Sequence, residues 1–210
     1  MITTIYLMRH SITEKVNYLD DNDSLLVRNQ KQILTIVGEE LAKKVSNNKI
    51  FSDIDIVISS NYVRAMATAK YFTKDNKLNI VEDFGERKFG IDDYNDIPTD
   101  FYKRQLEEDD YKIGQAESQK EVRERMSRAL LKIVNENRGK NILIVSHNTA
   151  MIFLLKKWCS VIDNKYLLYK DKVILENGFK NCDTIKLLFE NEKLVEIENM
   201  KVFGDKFKVW

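Results

Sequence analysis

Short apolar runs alternate with amphipathic stretches along the chain. The apolar runs are too short for buried helices, which predicts buried strands over residues 2–8, 55–58 and 141–145. Elsewhere apolar residues recur every three or four positions, and this spacing predicts helices over residues 34–45, 62–72, 118–137 and 150–158. Alternating strands and helices favour an α/β fold, which we expect to be a three-layer α/β/α sandwich around a mostly parallel sheet.

Polar residues mark the remaining features of this fold. Ser118 and Glu121 have the spacing of a capping box at a helix start. After a polar stretch, residues 183–189 and 193–198 flank a short turn, which predicts an antiparallel hairpin at the sheet edge. The polar residues from about 92 to 117 show poor periodicity, apart from a short candidate helix over 99–109. We interpret them as a small lid-like insertion in a single domain spanning 1–210.

The composition excludes several classes of protein. Hydrophobic residues make up 43% of the 210 residues and charged residues 32%, which is typical of a globular chain with a sizeable core. The formal net charge of +1 gives no support for nucleic-acid binding. Two cysteines are too few for a disulfide framework, and we see neither a secretory leader nor an apolar run long enough to span a membrane. We therefore expect a cytoplasmic protein without nucleic-acid or membrane partners.

The chain has only two histidines, and each follows a predicted strand. Arg9 and His10 follow the first strand, His147 follows the third, and Arg64 lies near the start of the helix after the second. Because the carboxyl ends of parallel strands meet at one edge of a sheet, we expect these four residues to converge. Guanidinium groups and backbone N–H groups at helix starts both bind phosphate oxygens. The sequence therefore predicts a pocket for a phosphoryl group.

Six segments along nearly the whole chain resemble the signature segments of the histidine phosphatase superfamily, which includes the cofactor-dependent phosphoglycerate mutases. In chain order they are Leu7-Met-Arg-His-Ser-Ile-Thr13, Leu34-Thr-x-x-Gly38-x-x-x-Ala42, Ser59-Ser-x-x-x-Arg64-Ala-x-x-Thr68-Ala69, Glu86-Arg-Lys-Phe-Gly90, Glu117-Ser118 with Arg125, and Ile144-Val-Ser-His147. Any one of these segments is a weak signal, but six in the family's order are highly specific.

The resemblance implies a role for each candidate site residue. His10 is the nucleophile that accepts the phosphoryl group, while Arg9, Arg64 and His147 hold its oxygens. Glu86 protonates the leaving oxygen and then activates the water that hydrolyses the phosphohistidine. This chemistry requires a neutral His10 and a Glu86 that is protonated for its first step, and we expect a protonated His147. The resemblance implies neither a cofactor nor a metal ion.

The sequence also departs from the family pattern. Ser11 and Asn148 stand where the family usually has glycine, and either side chain is close enough in sequence to the histidines to contact a phosphate. The family's asparagine after the first signature has its nearest counterpart one place late, at Asn17, so Asn17 and Asn148 are weaker phosphate-binding candidates. Lys103 and Arg104 in the lid-like insertion are candidates for holding an anionic substrate, although charge runs usually form a solvated face.

Three functions are compatible with these motifs. We expect a metal-independent phosphatase that acts on a small phosphorylated substrate, as a monomer or a homodimer. A mutase that returns the phosphoryl group to its substrate is the second alternative, and the short stretch between Glu86 and Ser118 argues against it. A non-catalytic phosphate-binding module is the third, and it has no need for both His10 and Glu86. Sugar phosphates, phosphoglycerates, nucleotides, phosphoamino acids and phosphoproteins all remain open as substrates.

Overall fold

The computed structural model describes residues 1–14, 23–75, 77–91, 93–163 and 165–202. These residues form nine strands: β1 (Ile2–Arg9), β2 (Ile56–Ser59), β3 (Asn79–Ile80), β4 (Asn141–Ser146), β5 (Ser160–Ile162), β6 (Tyr166–Tyr169), β7 (Lys172–Glu176), β8 (Thr184–Glu190) and β9 (Lys193–Asn199). They also form six α-helices: α1 (Leu25–Lys31), α2 (Ile36–Ser46), α3 (Val63–Ala69), α4 (Phe101–Glu107), α5 (Gln119–Glu136) and α6 (Asn148–Leu155).

Six of these strands form one mixed sheet in the order β3-β2-β4-β1-β8-β9. The first four strands of that order are parallel, whereas β8 pairs antiparallel with β1 and β9 pairs antiparallel with β8. The predicted mostly parallel sheet with an antiparallel hairpin at its edge is therefore confirmed. Val145 is opposite both Met8 and Ser59, so β1, β2 and β4 end at the same edge of the sheet.

Helices cover both faces of this sheet. Along β1, Ile5 and Leu7 are fully buried in the core that α5 and α6 complete, whereas Met8 packs on the other face with α2 and α3. Each such side chain contributes about 1.5–3 kcal/mol of hydrophobic free energy when it is fully buried. Burial on both faces explains why these strands are continuous apolar runs in the sequence. The predicted three-layer sandwich is confirmed.

The capping box predicted at Ser118 is present at the start of α5. The Ser118 hydroxyl accepts a hydrogen bond from the Glu121 backbone N–H at 3.2 Å, and a Glu121 carboxylate oxygen accepts one from the Ser118 N–H at 2.8 Å. A serine cap contributes about 1 kcal/mol to helix stability. The cap fixes the start of α5 directly after the polar segment of residues 92–117.

The short helix within that polar segment is also present, as α4. Phe101 is fully buried there, and its ring centroid lies 6.2 Å from that of Phe89 and 5.9 Å from that of Tyr111. The buried Gln105 side chain donates a hydrogen bond to the Glu117 carbonyl at 2.9 Å. The segment is therefore packed against the rest of the chain by an aromatic cluster and by a buried amide.

Several elements were not predicted from the sequence, including the two-residue edge strand β3. Helix α1 precedes α2, and strands β5, β6 and β7 form a separate antiparallel sheet in what we interpreted as a polar stretch. These strands have only three to five residues each, and several of their side chains are exposed. Leu167, Ile174 and Leu175 nevertheless reach the main core. No helix in the described part of the chain is long and apolar enough to cross a membrane.

Candidate functional site

Four of the predicted site residues line one cavity at the carboxyl edge of the sheet. Arg9 and His10 come from the end of β1, Arg64 from the first turn of α3, and Glu86 from the loop after β3. The cavity has a volume of about 240 Å³. A larger groove of about 720 Å³ lies beside β2 and contains neither histidine nor arginine. Of these two cavities, only the smaller one is lined by predicted site residues.

The imidazole of His10 is buried and held in one orientation. Its Nδ1 lies 2.7 Å from the Ser11 carbonyl oxygen, which only accepts hydrogen bonds, so Nδ1 carries the proton. Its Nε2 accepts a hydrogen bond from Arg64 Nε at 3.1 Å. Burial, and then the charge of Arg64, hold the pKa of His10 well below its usual value. His10 is therefore neutral with its lone pair on Nε2, the state that a nucleophile requires.

Two guanidinium groups lie near this imidazole, that of Arg64 buried and that of Arg9 partly buried. Arg64 also donates a hydrogen bond to the Asn29 carbonyl of α1, and its guanidinium carbon lies 4.8 Å from the centroid of the Tyr62 ring. Arg9 donates a hydrogen bond from Nη1 to the Phe179 carbonyl. Such contacts fix the direction of a long side chain before any ligand arrives. The pair forms a preorganised cluster of two positive charges at the end of the sheet.

His147 lies behind His10 and does not line the cavity. The two ring centroids are 5.2 Å apart, and His147 Nε2 is 2.8 Å from the Ser60 hydroxyl oxygen. Its Nδ1 is buried and has no hydrogen-bond partner among the described residues. Burial, followed by the charge of Arg64, holds the pKa of His147 well below its usual value. The expectation of a protonated His147 is therefore wrong, because a buried imidazole beside an arginine stays neutral.

The Glu86 carboxylate faces the start of α6. One oxygen accepts hydrogen bonds at 2.9 Å from the backbone N–H groups of Arg87 and Ala150, and the other accepts one from Thr149 at 3.3 Å. The helix dipole favours negative charge at this end of α6. These backbone donors fix the carboxylate at the cavity wall without occupying another side chain.

Arg125 fixes the loop that carries Glu86. It donates hydrogen bonds to the backbone carbonyls of Asp83, Gly85 and Glu86 at 2.6 to 3.2 Å. The same guanidinium forms a two-point ion pair with Glu117, with distances of 2.6 and 2.9 Å. Arg125 and Glu117, which the family resemblance picks out, therefore position Glu86 and do not contact the cavity themselves.

The two residues that replace family glycines make contacts with the scaffold. The Ser11 hydroxyl donates to the Gly38 carbonyl at 2.7 Å, and the Asn148 side-chain oxygen accepts from the Phe179 N–H at 2.8 Å. Because the Phe179 carbonyl also accepts from Arg9, Asn148 supports the segment that orients this arginine. Neither Ser11 nor Asn148 lines the cavity. Their side chains are thus engaged in holding the site together.

The other candidates lie elsewhere. Asn17 lies outside the residues that the structure describes. Arg104 forms an ion pair with Glu108 at 2.8 Å and lies over the Tyr111 ring at 3.9 Å. Neither Lys103 nor Arg104 lines the cavity. Among the described residues, no three histidine, cysteine, aspartate or glutamate side chains are grouped closely enough to hold a metal ion.

Sequence reasoning missed several residues of the cavity wall. Asn29 and Gln32 reach it from α1 and from the residue that follows this helix, and Arg87 reaches it from beside Glu86. One available signal for α1 was Ser24, whose hydroxyl accepts a hydrogen bond from the Val27 N–H at 3.4 Å. No local signal distinguished Arg87 from the many charged residues around it.

The family match agrees with this geometry. Residues 5–170 match the model of the histidine phosphatase superfamily, branch 1. The chain belongs to this superfamily. The resemblance noted from the six sequence segments is therefore confirmed. No curated protein sequence matches the chain.

Solved structures with this fold include proteins named as phosphatases. A mutant phosphoserine phosphatase from Entamoeba histolytica, in complex with phosphoserine, has a TM-score of 0.68 at 21% identity and covers 96% of this chain and 99% of its own. The same enzyme with 3-phosphoglyceric acid has a TM-score of 0.66 at 21% identity, with coverages of 95% and 98%. A mycobacterial glucosyl-3-phosphoglycerate phosphatase has a TM-score of 0.68 at 13% identity, with coverages of 95% and 98%. At these identities the similarity establishes the fold.

The two low histidine pKa values predict how stability depends on pH. Unfolded histidines bind protons below about pH 6.5, whereas His10 and His147 stay neutral when folded. Their contribution to the free energy of unfolding is therefore complete above about pH 6.5. It is lost as the pH falls below about 6.5, by up to about 1.4 kcal/mol per pH unit for each histidine. Urea unfolding at pH 7.0, 6.0 and 5.5 measures this loss. We expect His147→Asn to reduce the slope of the free energy of unfolding against pH by about half. A wild-type free energy of unfolding that does not change with pH in this range would contradict the burial of neutral imidazoles.

Proposed function

We propose that the protein is a phosphatase that hydrolyses phosphomonoesters through a phosphohistidine on His10. The observation that carries this proposal is the state of His10, whose Nε2 lone pair faces Arg64 Nε while Nδ1–H is engaged by the Ser11 carbonyl. A merely structural imidazole has no need of two arginines and a carboxylate around the same cavity. This arrangement matches what transfer of a phosphoryl group to nitrogen requires.

In the first step the P–O bond of the substrate breaks and a P–N bond to His10 Nε2 forms. The incoming phosphoryl group replaces Nε2 as the partner of Arg64 Nε, so the guanidinium passes from the imidazole to a phosphoryl oxygen. Glu86, in its acid form, donates a proton to the leaving oxygen. In the second step Glu86 accepts a proton from water, the water oxygen attacks phosphorus, and the P–N bond breaks to release inorganic phosphate and restore His10.

Charge stabilisation in this mechanism comes from Arg9 and Arg64. Two guanidinium groups offset the charge of a phosphoryl dianion, a role that metal ions fill in nucleotide-dependent phosphoryl transfer. His147 is a neutral imidazole outside the cavity wall. We propose that its buried Nδ1, which lacks a partner among the described residues, donates to a phosphoryl oxygen once the group on His10 Nε2 reaches that depth, in the tautomer with the proton on Nδ1. We therefore propose that catalysis needs no metal ion.

The relatives support a phosphatase that acts on small molecules. The similar structures are named as phosphatases, and two of them contain phosphoserine or 3-phosphoglyceric acid. The cavity of about 240 Å³ is smaller than the usual range of about 300–1,000 Å³ for pockets that hold drug-sized ligands. A small phosphomonoester therefore fits this site better than a phosphoprotein.

Phosphate release in the presence of a chelator tests this function. The protein should hydrolyse p-nitrophenyl phosphate and some members of a panel of phosphorylated metabolites, with rates unchanged by EDTA. Products from 3-phosphoglycerate should be analysed in parallel, because a mutase forms its isomer and little inorganic phosphate. Loss of activity in EDTA with recovery on adding a metal ion would contradict the mechanism. Tight binding of phosphate esters without turnover would identify a non-catalytic module.

A further inference from the structure

Residues 177–183 form the connection between β7 and β8, and they lie beyond the part of the chain that matches the family model. This β7–β8 connection binds the end of β1. The Cys182 N–H donates a hydrogen bond to the Arg9 carbonyl at 3.1 Å, and Asn181 Nδ2 donates one to the His10 carbonyl at 3.2 Å. The connection therefore holds the backbone of the first two residues of the candidate site.

The β7–β8 connection also holds the side chain of Arg9. The Phe179 carbonyl accepts a hydrogen bond from Arg9 Nη1. Phe179 is itself 2% exposed, and its side chain packs in the main core, so its backbone has little freedom to move. Since Arg9 lines the cavity, the Phe179 carbonyl fixes the direction in which this guanidinium enters it.

Asn148 fastens Phe179 from the other side. The Asn148 Oδ1 accepts a hydrogen bond from the Phe179 N–H at 2.8 Å. The close approach of this amide requires Gly178, which has a φ of 74° and where a Cβ atom would lie 2.9 Å from Asn148 Oδ1. Phe179 thus holds Arg9 through its carbonyl and is held by Asn148 through its N–H.

The first turn of α6 connects this contact to the other side of the site. The N–H groups of Thr149 and Ala150, which directly follow Asn148, bind the Glu86 carboxylate. One helical turn therefore fixes Glu86 through its backbone and Arg9 through a side chain. The glycine that the family usually has at position 148 keeps the backbone donors but has no side chain to reach Phe179.

We infer that Asn148 is a positioning residue that, acting through Phe179, directs the Arg9 guanidinium toward the phosphoryl group. The inference rests on the proposed function only for the role of Arg9 in binding that group. Without the Asn148 oxygen, the Phe179 N–H has to turn toward another acceptor, because backbone donors in folded proteins are nearly always paired. Arg9 then has to be ordered when the ligand binds, and this entropy cost weakens binding.

Binding of inorganic phosphate, measured by calorimetry, reports on this effect without requiring turnover. For Asn148→Gly we expect a dissociation constant about 10-fold above that of the wild type, because one charge-assisted contact is weakened. Asn148→Asp keeps a side-chain oxygen for the Phe179 N–H and should restore most of the affinity. Asn48→Gly is the matched control, since Asn48 accepts from the Ile50 N–H at 3.0 Å and does not line the cavity. It should bind phosphate as the wild type does.

A double-mutant cycle with Arg9 separates positioning from a general structural role. Arg9→Gln alone should weaken phosphate binding. In that background Asn148→Gly should change the dissociation constant by less than about twofold, because no guanidinium remains to be directed. Thermal unfolding of each variant verifies that it is folded. If Asn148→Gly fails to fold, Asn148→Ala, which favours the helix more, decides by the same cycle.

Three results would overturn the inference. The first is an Asn148→Gly protein that binds phosphate as tightly as the wild type. The second is an equal loss of affinity with and without Arg9, which would mean that Asn148 acts through another group. The third is a wild type that binds no phosphate. The proposed function is judged separately, because a protein that shows the expected cycle but does not hydrolyse p-nitrophenyl phosphate would refute that function and leave the positioning role intact.

Discussion

Replacing His10 by asparagine should reduce the kcat for p-nitrophenyl phosphate by at least about 10⁴-fold, because the variant has no nucleophilic nitrogen with a free lone pair. The fold should survive, since the only side-chain hydrogen bonds of His10 in the described structure are to the Ser11 carbonyl and to Arg64. Steady-state kinetics measure the loss. Far-ultraviolet circular dichroism and thermal unfolding verify that the variant is folded.

The same substitution at His147 is the matched control. His147→Asn removes a buried imidazole from the same site but leaves the nucleophile in place, so we expect a smaller loss of about 10²-fold in kcat. Both rings are buried, so the difference in kcat between the two variants reflects the chemical role of each histidine and not its burial. Equal residual rates in the two variants would mean that His10 is no more than a phosphate ligand. Near-wild-type turnover by His10→Asn would exclude it as the nucleophile.

Replacing Glu86 by glutamine should affect substrates according to their leaving group. Glutamine keeps an oxygen to accept the N–H groups of α6 but has no proton to donate to a leaving alkoxide. For an alkyl phosphate such as glycerol 3-phosphate we expect kcat/KM to fall by about 10²- to 10⁴-fold. For p-nitrophenyl phosphate kcat/KM should fall much less, because p-nitrophenolate leaves without protonation.

Hydrolysis of the phosphohistidine also needs Glu86, as the base that activates water. Glu86→Gln should therefore release one equivalent of p-nitrophenolate in a rapid burst and then turn over slowly. Rapid-mixing absorbance measurements resolve the two phases, and the wild type provides the reference amplitude. An equal fall of kcat/KM for both substrates, together with the absence of a burst, would show that Glu86 has neither role.

The central sheet could be predicted because its strands are buried on both faces. Such strands are unbroken apolar runs, and their order with respect to the helices restricts the topology. The small sheet formed by β5, β6 and β7 gave no comparable signal, because its short strands mix exposed and buried positions. Helix α1 was missed for a related reason, since its seven residues cover too few turns for a periodic pattern.

The positions of the main site residues followed from topology, but their states did not. Three of these residues converge because β1 leads to Arg9 and His10, β2 leads to α3 with Arg64, and both strands end at the same edge of the sheet. The neutral state of His147 depends instead on complete burial and on a nearby arginine, which are properties of the packed molecule. The position of Arg87 in the cavity wall likewise depends on packing against aromatic rings of α4.

The phosphoenzyme itself provides the most direct test of the mechanism. Wild-type protein that is turning over radiolabelled substrate in EDTA should be quenched in alkali and examined for bound phosphate. We predict an acid-labile, alkali-stable label of at most one phosphoryl group per chain, located at His10 by peptide mapping and absent from His10→Asn. A label on any other residue, or phosphate release without a labelled protein even in the Glu86→Gln variant, would contradict the account.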